Sequence, residues 1–97
     1  MVGGVDAMIK EVSEEFNMPQ DELLKQGIRT LLERRLREVK SEIFEIAGKY
    51  NVAGVNEMEL RYREGSLEEA DSWRDLQSLD HLEYKRDRLI RLLDNLS

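Results

Sequence analysis

No cysteine occurs in the 97 residues, which excludes disulfides and thiolate metal sites and fits a reducing cytoplasm. Histidine is represented once, by His81. One imidazole beside Asp80 cannot assemble the three or four ligands that zinc requires, so His81 reads as a surface residue. Proline also appears once, at Pro19, so no Pro-rich linker divides the chain, and 1–97 is expected to be a single helical domain. No stretch approaches the ~18 apolar residues of a membrane span. The opening MVGGVDAMIK lacks a basic segment followed by an apolar core, so no signal peptide is expected and the location reads as cytoplasmic. There is no glycine-rich phosphate loop and no serine in a nucleophile-elbow context.

What is present is a long apolar rhythm. Leu24, Ile28, Leu32, Leu36, Val39, Ile43, Ile46 and Tyr50 recur every three or four positions, and so do Leu79, Leu82, Arg86, Leu89, Leu93 and Leu96. Each set occupies one stripe of an α-helix, and from Leu32 onward the first fits a heptad seam. The expected fold is all-α with about four helices. Two long ones, about 19–50 and 66–95, form an antiparallel helical hairpin in a dimeric bundle. A chain this short buries only roughly two-thirds of its unfolded surface, so stripes of such length point to self-association.

The shorter elements have their own signals. Val5, Met8, Ile9, Val12 and Phe16 mark a first helix over about 5–16, broken by Asn17-Met18-Pro19. Asp21 and Glu22 put negative charge at the start of the first long helix. Asn51 is placed to take a left-handed cap at its end. A short helix over 55–64 stops at Gly65, and Ser66 with Glu69 forms a capping-box pattern for the last helix. Gly27 costs ~1 kcal/mol relative to alanine inside a helix. With Leu24, Ile28 and Leu31 it marks an expected dimer crossing.

Charge is unevenly spread. The net charge is −6. Residues 57–83 hold nine acids against three arginines, whereas residues 25–40 hold six bases against two glutamates. The acidic later half, 55–97, reads as a partner-binding part able to steer a cationic partner. On the last helix Trp73, Leu76 and Tyr84 fall away from the leucine seam and beside Asp80 and Asp87, an aromatic and acidic face suited to a basic partner. Its structural alternative is packing beneath one of the short helices. Arg34 and Arg35 on the basic shoulder are the nucleic-acid candidates. Glu33 and Glu38 interrupt them, and Glu33 with Arg37 forms an i, i+4 pair of a solvated face. Carboxylates recur at helical spacing, Asp71 with Asp75 and Glu42 with Glu45. No EExxE-type run of the helical nucleotide pyrophosphatases accompanies them, so neither catalysis nor a cofactor is expected.

The stretch FNMPQDELLKQGIRTLLE (16–33) resembles the helix–turn–helix part of ribbon-helix-helix proteins. Asp21-Glu22-Leu23-Leu24, Gly27 and Leu31-Leu32-Glu33 match that pattern, and the resemblance covers about 5–33. It implies dimerisation through these helices. Many ribbon-helix-helix proteins are antitoxins of prokaryotic toxin–antitoxin pairs whose C-terminal extension wraps a basic ribonuclease toxin. The segment EGSLEEADSWRDL (64–76) is similar to small archaeal and bacterial proteins encoded beside toxin genes. The family reads DNA with an N-terminal strand, but only Met1-Val2-Gly3-Gly4 precedes the first helix here. The resemblance therefore implies a non-catalytic antitoxin-like interaction protein that binds a basic partner through Trp73, Leu76, Asp80 and Tyr84. The alternatives are a DNA-binding regulator using Arg34 and Arg35, or a helical oligomerisation module.

Overall fold

A computed structural model describes residues 3–67 and 72–96. Those residues form four helices and no strand: α1 (Gly4–Glu15), α2 (Gln20–Tyr50), α3 (Val55–Arg63) and α4 (Ser72–Leu96). The all-α fold and its two long helices are thus as the apolar rhythm requires.

Each of the three connections begins with the same device. At the end of α1 the Asn17 and Met18 amides donate to the Glu14 and Ser13 carbonyls. Asn51 and Val52 do the same to Gly48 and Ala47, and Gly65 and Ser66 to Tyr62 and Arg61. These paired bonds are Schellman motifs, which satisfy carbonyls that a helix end leaves open. The motif demands a left-handed residue, and φ is +51° at Asn17, +53° at Asn51 and +73° at Gly65. Asparagine and glycine tolerate that region because a short polar side chain or a missing Cβ relieves the clash.

The long helices run antiparallel. Lys49 and Tyr50 at the end of α2 meet Asp75 near the start of α4, whereas Arg35 lies beside Leu89 and Leu92. α3 also runs antiparallel to α4, with its Val55 amide on Glu83 and its Tyr62 ring on Trp73. Three helices therefore share one end of the hairpin, and the core sits there: Tyr50, Val52, Met58, Leu76 and Leu79 are buried, with Ile43, Ile46, Val55 and Leu67 against them. Val52 against Ile46 and Ala47 supplies the apolar contact that accompanies a Schellman turn.

The seam weakens away from this end. Val39 is buried, and Leu32, Leu36, Leu82, Leu89, Leu93 and Leu96 are half-buried. Leu24 and Ile28 are exposed, in a part of α2 that α4, ending at Leu96, does not cover. The result is a long, thin molecule of 60 × 28 × 17 Å with a radius of gyration of 19.7 Å, against ~12–13 Å for a compact chain of this size.

The Ser66 hydroxyl donates to the Arg61 carbonyl at 3.1 Å and so ties down the close of α3. Its expected capping partner Glu69 lies outside the described residues, and the described part of α4 starts at Ser72. No helix among the described residues is long and apolar enough to cross a membrane.

Candidate functional site

α3 and the opening turns of α4 form the two walls of a cleft of about 460 Å³. Val55, Glu59, Tyr62 and Arg63 come from α3, and Trp73, Leu76, Gln77 and Asp80 from α4. The cleft exists because α3 stands on α4 through Met58 and Leu76, which leaves the flanking residues splayed. Leu76 forms its floor and is buried. Tyr62 and Trp73 sit above, with ring centroids 5.6 Å apart and planes tilted by 43°, a favourable edge-leaning geometry. Trp73 keeps 51 % of its surface exposed, so the pair is only half used by the fold. Glu59 is tied to Arg63 across one turn of α3. Asp80 makes no ion pair among the described residues and presents a free carboxylate at the rim.

Trp73, Leu76 and Asp80 therefore come together as the sequence suggested, while the two structural alternatives for this face divide it. Leu76 is packed core, and Trp73 is rim. Tyr84 lies apart: it is exposed and shares a shallow groove with Arg88, Arg91, Leu92 and Asn95. It stands beyond the start of α3, where the second wall is missing. Tyr62 takes the place expected of Tyr84. Its signal was the spacing Val55, Met58, Tyr62, which sets it one turn past the core residue Met58 on a helix needing a partner.

Beside the cleft, a polar clamp closes the hairpin. The Lys49 ammonium donates to Asp75 Oδ2 at 2.9 Å, and the Tyr50 hydroxyl donates to the same oxygen. These two donors, Tyr50 first, hold the Asp75 carboxyl below its ordinary range. The bond to Asp75 likewise raises Lys49. Burial, then the bond to Asp75, pushes the Tyr50 phenol up to about 12. A neutral phenol, a charged ammonium and a doubly bonded carboxylate supply no free base and no nucleophile, so the clamp fastens α2 to α4.

Two further ties hold α3. Glu83 Oε2 accepts from the Val55 amide at 2.7 Å and so caps α3 from another helix. A Cβ at Gly54 would stand 2.9 Å from that same oxygen. Arg61 reaches back to the Tyr50 carbonyl at 2.8 Å and to Glu57 at 3.1 Å. These tertiary caps have no sequence signature, because each partner lies 11 or more positions away.

The remaining candidates are dispersed. Leu24, Ile28 and Leu31 are exposed on α2, and a Cβ at Gly27 would meet nothing within 4 Å. Arg34 and Arg35 are exposed, and Arg35 bridges Glu38 at 3.0 Å. His81 lines a shallow groove with Glu42 and Glu45. Among the described residues no three histidine, cysteine or acidic side chains are grouped to hold a metal ion.

Comparison with known proteins gives one family match. The model of the Uncharacterized protein MJ0235 family matches residues 1–97, and the chain belongs to that family. No curated protein and no solved structure matches.

Proposed function

We propose that this member of the family is a non-catalytic interaction protein, antitoxin-like in design, that self-associates and holds a basic partner in the α3–α4 cleft. The observation that carries the reading is the half-exposed Tyr62–Trp73 pair above a buried leucine, with the free Asp80 carboxylate at its rim. An arginine or lysine from a partner would place its charge against Asp80 and the aromatic faces, and its alkyl stem over Leu76. The net charge of −6 would draw such a partner in. The DNA-binding alternative is less well supported, since Glu33 and Glu38 interrupt the arginines and no strand occurs among the described residues.

Trp73 is the sole tryptophan and reports on the site directly. Titration with an arginine-rich peptide should shift its emission to shorter wavelength. Asp80→Lys should weaken that binding at least tenfold with unchanged helical circular dichroism. A peptide that leaves Trp73 emission unmoved, or binds Asp80→Lys equally well, would refute the reading.

A further inference from the structure

An uncovered apolar surface lies at the opposite end from the core. Val5 and Met8 of α1, Phe16 just after it, and Leu24, Ile28 and Leu31 of α2 are each between 47 and 74 % exposed. We infer that a second copy of this chain covers this surface, pairing antiparallel about a two-fold axis that passes between Gly27 and Ile28. The inference rests on the self-association in the reading above and adds its geometry.

Charge selects the occupant. Residues 6–22 hold six acids and one lysine, and residues 25–40 hold six bases and two acids. The apolar patch on α2 sits where these zones meet. A patch flanked by acid on one side and base on the other is complementary to itself when turned by two-fold rotation. Parallel pairing would instead set like charge on like.

The register follows from helix geometry. At 100° per residue, Leu24, Gly27, Ile28 and Leu31 share one stripe. With the axis between Gly27 and Ile28, Leu24 meets Leu31 of the second copy, and Gly27 meets its Ile28. Arg34 and Arg35 then lie opposite the acidic start of α2. The exposed Arg35–Glu38 pair is a weak tie that exchange for Asp21 replaces at little cost. This crossing also accounts for Gly27. Within one copy nothing approaches it, so its cost of ~1 kcal/mol to the helix has no return there. At the axis, a missing Cβ lets two helix backbones close up. The α1 side chains widen the contact toward the roughly 1,200–2,000 Å² that stable interfaces bury.

The absence of cysteine makes the test clean. Leu24→Cys and Leu31→Cys proteins, mixed and oxidised, should cross-link to each other. Leu24→Cys alone should not, because identical positions lie seven residues, or roughly 10 Å, apart along the pair. Gly27→Leu should weaken dimerisation more than tenfold by light scattering without loss of helicity. Arg34→Glu with Arg35→Glu should do the same, and added Asp21→Lys with Glu22→Lys should restore it. A light-scattering mass of one chain at every concentration would overturn self-association itself. A dimer in which Leu24→Cys cross-links to itself would overturn only the register.

Discussion

Asp75 is the residue on which the hairpin's closure is most sensitive to pH. Its carboxyl is held low by Tyr50 and Lys49, so it stabilises the fold above the ordinary carboxylate value of ~4, and that contribution is lost as pH falls through the lower folded value. The phenol runs the other way. Tyr50 is raised in the fold, so its contribution is complete below ~10 and is lost as pH rises through about 12. The melting temperature should therefore be flat between about pH 5 and 9 and fall on both sides. Asp75→Asn should cost about 1 kcal/mol at neutral pH, and the gap from wild type should narrow below pH 4; parallel thermal melts would check both. Glu83 gives a second residue-scale prediction. Removing its cap with Glu83→Ala should cost about 1 kcal/mol. Gly54→Ala should do similar damage, because the new methyl displaces the same carboxylate oxygen. The two changes touch one bond, so their double mutant should cost little more than either alone in a denaturation cycle.

At the scale of elements, the turns carry the information that periodicity does not. Asn51 holds a left-handed cap in which its own amide and that of Val52 are satisfied. Asn51→Gly should be neutral or slightly stabilising and Asn51→Val should cost about 1–2 kcal/mol, read from urea midpoints. This cap was legible in the sequence, as were all four helices, because apolar spacing and turn chemistry are local properties. Less legible was the part Ser66 takes at the close of α3, where its hydroxyl donates to the Arg61 carbonyl beside the left-handed Gly65. The Trp73–Leu76–Asp80 face was legible from helical angles, but its partner wall was not. Tyr62, rather than Tyr84, completes the cleft through the direction in which α3 packs, and that direction is fixed by Glu83 and Arg61 contacts across the fold.

Over the whole molecule, the buried cluster lies at one end, and the other end carries exposed apolar side chains with no core beneath them. Met58 and Leu79 are fully buried in the small cluster at one end, so Leu79→Ala should cost about 2–5 kcal/mol. For a domain near 100 residues that lowers the melting temperature by at least roughly 10 °C. Phe16→Ala, at 67 % exposure, should leave the melt of dilute protein nearly unchanged. α1 occupies the far end with no buried residue, and 12 residues are too few for an isolated helix to persist in water. Contacts with α2, where Ile9 and Val12 are half-buried, supply part of its order, and a cover over its exposed side would supply more. If a second copy does, amide exchange in α1 and the first two turns of α2 should slow steeply as protein concentration rises through the dimer dissociation constant. Amides around Met58 and Leu79 should be indifferent, since their protection is set within one chain. Exchange in α1 that is equally slow at all concentrations would mean that α1 draws its stability from its own chain, and the apolar surface at that end would then have no role in assembly.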